Sequence, residues 1–165
     1  MRVDACPVAA SLLRSSAYAQ EGKIQILWLG QSAFRIKTLT GKVIVIDPWL
    51  TKNPRTPAEY NNLDKIGKMD IILVTHAHGD HLGHGPDLAK KYNAPLWGPA
   101  GLGQSLQTLG ILPANLAPRM GKGGTIQAFP KVKITAVHAE HSSELLWHNP
   151  ATDKDETHVG GEPVG

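Results

Sequence analysis

The apolar run Ile71-Ile72-Leu73-Val74 passes through Thr75 straight into His76-Ala77-His78-Gly79-Asp80-His81. Half of the chain's eight histidines lie between His76 and His84. Core packing does not ask for such a cluster, because buried polar nitrogens must each find a partner. Neutral imidazole nitrogens and carboxylate oxygens are instead the ligand atoms of zinc and similar divalent ions. The feature constrains the fold as well as the chemistry. A buried strand has to deliver the chain to a tight loop, and α/β proteins place their sites at the carboxyl ends of such strands. A polar surface loop would explain neither the spacing nor the strand in front of it.

The spacing suits two ions. Residues i and i+2 leaving a strand project the same way, so His76 and His78 can grip one ion. Gly79 is read as the permissive position that bends the backbone, turning Asp80 and His81 toward a second. Hydrolases use pairs of ions about 3.5–4 Å apart to activate water and hold both oxygens of the bond being cut.

The rest of the chain reads as a mixed α/β domain. Lys23 to Leu29 alternates, with Ile24, Ile26 and Trp28 on one face and Gln25 and Leu27 on the other. Phe34 to Leu39 alternates again, which places Phe34 and Ile36 inward and Arg35 and Lys37 outward. Thr40-Gly41-Lys42 is a hairpin turn, and Val43 to Ile46 is a strand buried on both faces. Residues 48 to 62 carry three prolines and read as a loop with one helical turn near Glu59. Helices are expected from Pro86 to Tyr92 and from Ala100 to Leu109, the second stopped by Gly110. Pro95 to Trp97, Thr125 to Ala128 and Val132 to Val137 read as strands. After His141 the chain reads as polar and turn-rich. Hairpins first and strand–helix units later predict a mixed sheet.

Bulk properties exclude some functions. The net charge of +3 is mild, and the longest basic run is the pair Lys90-Lys91, so a nucleic-acid partner is not expected. No apolar run approaches the roughly 20 residues of a membrane-spanning helix. The single cysteine, Cys6, rules out an internal disulfide and a Cys-rich zinc site. It lies in residues 1–19, which end Ala17-Tyr18-Ala19 and read as an export signal or an N-terminal extension. A signal would place the protein in the periplasm or outside the cell, and its absence in the cytoplasm. The remainder, residues 20–165, is one domain.

The motif His76-Ala77-His78-Gly79-Asp80-His81 resembles the H-x-H-x-D-H signature of the metallo-β-lactamase superfamily. The stretches Trp28-Leu29-Gly30-Gln31-Ser32-Ala33-Phe34, Ile46-Asp47-Pro48-Trp49-Leu50 and His141-Ser142-Ser143 resemble its metal-dependent hydrolase branch related to L-ascorbate-6-phosphate lactonase. The resemblance implies an αββα sandwich of two similar halves. It implies that His76, His78 and His141 ligate metal one and that Asp80 and His81 ligate metal two. Asp80 is also the candidate catalytic residue, and Asp47 is expected to support the ligands from behind. His138, three residues before His141, is a rival third ligand. Zinc is the expected metal, with manganese, iron or nickel as alternatives, at one or two ions per chain. The implied activity is hydrolysis of a lactone, ester, amide or phosphodiester in a small-molecule substrate by metal-activated water. Family members also carry a later Asp that bridges both ions and a final His on metal two. Neither has a counterpart here, so the chain is expected to be the N-terminal half or more of the fold. Metal two would then be weakly held. The alternative is a non-catalytic or truncated metal-binding domain.

Overall fold

The computed structural model describes residues 22–165. The expected export signal and Cys6 lie outside the described residues. Gln25–Trp28 (β1), Phe34–Lys37 (β2) and Val43–Ile46 (β3) form an antiparallel meander. Ile71–Leu73 (β4), Leu96–Pro99 (β5) and Arg119–Met120 (β6) extend it in parallel from β3, so the strands lie in sequence order across one six-stranded sheet. Parallel neighbours need crossover connections. Gly79–Leu82 (α1) and Gly85–Tyr92 (α2) lie between β4 and β5, and Ala100–Thr108 (α3) lies between β5 and β6.

Cross-strand register decides which side chains share a face. Leu27, Arg35, Val45, Ile72 and Leu96 fall in one row. This is the face of the main core, where Val45, Ile72 and Leu96 pack with Leu88 of α2 and Leu102 and Leu106 of α3, all essentially without solvent contact. Trp28, Phe34, Ile46, Leu73 and Trp97 form a row on the opposite face. A hairpin of Thr125–Phe129 (β7) and Val132–Thr135 (β8) covers part of that face, where Ile126, Ile134 and Trp97 pack against Met120, Ala136 and Val164. Toward β1 the face is open: Ile26 is 66% exposed and Trp28 50%. A sheet that is apolar on both faces is what a layered α/β fold requires.

Three expectations change. Arg35 does not point away from the core. It sits in the row of Leu27 and Val45, and its Nε donates to the Ile66 carbonyl at 3.0 Å, so its stem lies along apolar surface while its charge meets a carbonyl. Lys37 is half-buried, like every residue of β2. Second, the region after His141 is not a run of turns. Glu144–Asn149 (β9) and Lys154–Val159 (β10) form a regular antiparallel hairpin. Its period is two: Leu145 is buried and Trp147 half-buried, while Glu144, Leu146 and His148 face out. Leu145 joins the main core, which ties the hairpin to the helices. Third, Gly79 does not supply a left-handed bend. It opens α1 with an ordinary φ, and a Cβ placed there would meet open space. The helical turn itself redirects the chain after His78.

The expected helices, the helical turn at Ala58–Asn61 and the stop at Gly110, which has φ +68°, are present. Gly103 costs α3 some helical propensity. A Cβ there would sit 2.6 Å from the Arg119 side chain and 3.2 Å from the Ala117 carbonyl, so glycine allows α3 to lie against β6.

Asp70 joins β3 to β4. Its carboxylate accepts from the Val43 amide and the Lys42 ammonium, each at 2.8 Å. Burial would raise its pKa, but these two partners outweigh it and hold the carboxyl below the usual range. A depressed carboxyl stabilises the fold above the unfolded-state pKa and loses that contribution as pH falls through the folded one. Asp70→Asn is expected to cost about 1 kcal/mol at pH 7, since both partners are partly solvated. Thermal melts should show the difference from wild type narrowing as pH falls below the ordinary carboxylate range.

Candidate metal centre

The site lies beyond the carboxyl ends of β3 and β4. The chain leaves β4 through Val74 and Thr75, and Thr75 is held from below by Asp47, which follows β3. Asp47 is 1% exposed. Its Oδ1 accepts from the Thr75 amide, and its Oδ2 accepts from the Thr75 hydroxyl and from His81, all at 2.8 Å. It adopts φ +42°, a conformation uncommon outside glycine, asparagine and aspartate. The end of one strand thus fixes the loop that follows its neighbour.

Three imidazoles converge above this floor. His76, His78 and His141 each offer a ring nitrogen, and these atoms all lie within 4.8 Å of one another. The ring centroid of His141 is 4.5 Å from that of His76 and 5.0 Å from that of His78. His138 is elsewhere, paired with Glu140 and bridged to Val164. His84 also lies outside the cluster. Its Nδ1 is 3.3 Å from the Leu50 amide, its Nε2 is 2.9 Å from Thr51 Oγ1, and it fastens the Pro48–Thr51 loop.

The hydrogen bonds on the outer side of the cluster decide what its inner side presents. The Thr75 hydroxyl proton goes to Asp47, so at 3.1 Å His76 Nδ1 is the donor and Thr75 Oγ1 the acceptor. His78 Nε2 faces the Glu144 carboxylate at 3.0 Å, and a carboxylate only accepts. His141 Nδ1 faces the Ser142 carbonyl at 2.7 Å, again an acceptor. Each ring therefore has its proton on the outer nitrogen and a lone pair directed inward. His76 Nε2 and His78 Nδ1 then face each other at 3.2 Å as two lone pairs, an arrangement that a cation relieves. Outer N–H groups donating to carboxylates, carbonyls or hydroxyls are the support that metal-binding imidazoles receive. The donor set fits a divalent ion.

Electrostatics agree. Burial, reinforced by the three neighbouring imidazoles, lowers the His76 pKa to about 4, so this ring is neutral at pH 7. Metal ligation needs neutral imidazole. His81 differs: its bond to Asp47 raises its pKa against the effect of burial. That bond uses Nδ1 and leaves Nε2 4.0 Å from Asp80 Oδ2. The His76 and His81 ring centroids are 4.0 Å apart. Burial pushes the Asp80 carboxyl up, but the Gln31 amide and nearby imidazoles bring it below its ordinary value. Asp80 and His81 thus form a second donor pair beside the first cluster.

Several contributors were not singled out in the sequence. Thr75 links Asp47 to His76. Glu144 orients His78, and Ser143 Oγ accepts from the Ala77 amide at 3.2 Å. Gln31 Nε2 donates to Asp80 Oδ2 at 2.7 Å, and Ser32 Oγ lies 3.1 Å from His81 Nδ1. Gln31 and Ser32 lie in the Trp28–Phe34 stretch and Ser143 in the His141–Ser143 one, but neither stretch reveals which atoms meet. Glu144 had no local signal, since β9 itself was read as turns.

A mixed sheet thus carries a histidine cluster beyond the ends of its parallel strands. The fold matches the solved structure of Igni18, a metallo hydrolase from the archaeon Ignicoccus hospitalis, with a TM-score of 0.65 at 26% identity, over 86% of this chain and 54% of that one. A UPF0173 metal-dependent hydrolase of Polaromonas sp. is 56% identical over all of this chain and 61% of its own length. One from Cupriavidus necator is 61% identical over 87% of this chain and 50% of its own. The family model described as the β-lactamase superfamily domain matches residues 42–161, and the chain belongs to that family. It spans between half and about three fifths of the length of these curated relatives. Among the described residues, no helix is long and apolar enough to cross a membrane.

Proposed function

We propose that the chain carries the metal centre of a metal-dependent hydrolase. In this reading His76, His78 and His141 hold the first divalent ion, Asp80 and His81 contribute to a second, and Asp47 supports both from beneath. The observation that carries it is the set of three inward lone pairs, each fixed by an outer hydrogen bond. A bound ion would supply Lewis acidity and lower the pKa of a coordinated water toward 7. The chain's own part is to keep His76 neutral, to hold the three rings in one tautomer each, and to place Asp80 at the edge of the cluster. Ionised Asp80 orients the attacking water and accepts its proton. Zinc suits the three-imidazole set; manganese, iron or nickel suits a more oxygen-rich second position. The scissile bond is a lactone, ester, amide or phosphodiester of a small molecule, with a lactone preferred by family analogy.

A second reading is a metal-binding domain without turnover. It is favoured by the second donor pair, since among the described residues Asp80 and His81 do not belong to a group of three or more converging ligand atoms. Metal analysis of protein purified without added metal separates the parts of this proposal. One tightly bound ion per chain is expected, with a second entering only at higher concentration. Two tight ions would contradict the unequal standing of the sites, and none would contradict the metal centre. Hydrolysis of chromogenic lactone or phosphodiester substrates by the loaded protein distinguishes the enzyme from the binding domain.

Glu144→Ala tests the tautomer argument. It is expected to weaken the first ion about 10-fold, at the lower end of what loss of an outer hydrogen-bond partner costs, because Glu144 is largely solvent-exposed. Calorimetric titration of the metal-free protein reads this directly.

A further inference from the structure

The turn between β1 and β2 is held far more firmly than a hairpin connection needs. Gln31 adopts φ +47°, a left-handed conformation that non-glycine residues seldom take. Its carbonyl accepts from Trp28 Nε1 at 2.9 Å. The Leu29 amide donates to the Ala33 carbonyl and the Ala33 amide to that of Gly30, both at 2.8 Å. On the other side the turn meets the proline-rich loop. Thr56 Oγ1 donates to the Leu29 carbonyl at 2.8 Å, and a Cβ on Gly30 would lie 2.7 Å from the Arg55 backbone. Backbone strain that the surroundings over-determine in this way collects at functional sites.

What the strained turn presents is the Gln31 side chain. Its Nε2 donates, at 2.7 Å across 49 residues of sequence, to Asp80 Oδ2, the oxygen that lies 4.0 Å from His81 Nε2. The next residue, Ser32, places its Oγ 3.1 Å from His81 Nδ1. Neither contact reaches His76, His78 or His141. The turn therefore braces only the Asp80–His81 half of the centre, the half with the fewest donors.

We propose that Gln31 is a positioning residue for the second ion, acting by fixing the Asp80 carboxylate beside His81, whose Nε2 lies 4.0 Å from Asp80 Oδ2. The proposal rests on the reading of Asp80 and His81 as donors to that ion. Its test is a cobalt(II) titration of the metal-free chain, followed by visible absorption and calorimetry, in wild type and in Gln31→Met. Methionine keeps length and volume but cannot donate. The expected result is a second equivalent weakened about 10- to 100-fold with the first unchanged. In the Asp80→Asn background the same substitution should add nothing. An unchanged second equivalent in Gln31→Met overturns the proposal. So does equal weakening of both equivalents, which would mark a general structural role. A wild-type chain that takes a single equivalent, or an Asp80→Asn variant that keeps its second, removes the underlying reading and the proposal with it. Failure of the inference alone is a wild type with two equivalents, the second lost in Asp80→Asn, and no effect of Gln31→Met.

Discussion

His78→Ala is expected to abolish tight binding of the first divalent ion and, with it, hydrolytic turnover. His78 is the ring that links the other two imidazoles to Glu144: its Nδ1 faces His76, and its Nε2 faces the carboxylate. Removing it leaves two imidazoles and an open face, below the three protein ligands of a catalytic zinc site. The loss should exceed the roughly 10- to 100-fold that removal of an outer partner causes. Metal content after purification, together with calorimetric titration, measures it. The fold should survive, because His78 lies on a partly exposed loop and is not a member of the apolar core. The thermal melt of the metal-free variant should therefore stay close to that of metal-free wild type. A variant that keeps one tight ion and full turnover would refute the assignment of His78.

Much of this arrangement was legible in the sequence, for identifiable reasons. The apolar runs Val43–Ile46 and Ile71–Val74 read correctly because strands buried on both faces are continuous apolar segments. The helices read correctly because α2 carries Pro86 near its start and α3 carries Leu102 and Leu106 four apart. The candidate ligands were easy to single out because His76, His78, Asp80 and His81 sit in one short segment, and the structure gathers His76 and His78 with His141. His141 came from the resemblance, and the structure brings it rather than His138 to the cluster, His138 being held in a bridge to Val164. The β9–β10 hairpin was not legible. Its strands alternate, but most of their outward positions are polar, Leu146 and Val159 excepted, and the apolar side chains it turns inward are Leu145 and Trp147, so composition looked like loop. Gln31, Thr75 and Glu144 were not legible either. Their roles depend on which atoms meet after the sheet has assembled, at separations of 49 residues for Gln31–Asp80 and 66 for His78–Glu144.

Asp47→Ala is expected to have the largest effect on stability. The substitution removes a fully buried carboxylate that accepts three hydrogen bonds and strands the Thr75 amide, the Thr75 hydroxyl and His81 Nδ1. Breaking a buried charged network by deleting one partner typically costs 3–5 kcal/mol. Alanine is also a poor occupant of φ +42°, which adds to the loss. A domain of this size should melt roughly 10 °C lower. Asp47→Asn separates the two tasks of the side chain. It keeps shape, tolerates the left-handed backbone and retains an oxygen for the Thr75 amide, so most of the stability should remain. Its NH2 group, however, meets the Thr75 hydroxyl and His81 Nδ1, where only an acceptor fits. One of those two must turn or change tautomer, and both lie under the metal centre. Asp47→Asn should therefore bind metal 10- to 100-fold more weakly while melting close to wild type. If both variants bind metal like wild type, Asp47 holds the backbone of the loop and has no part in orienting the imidazoles.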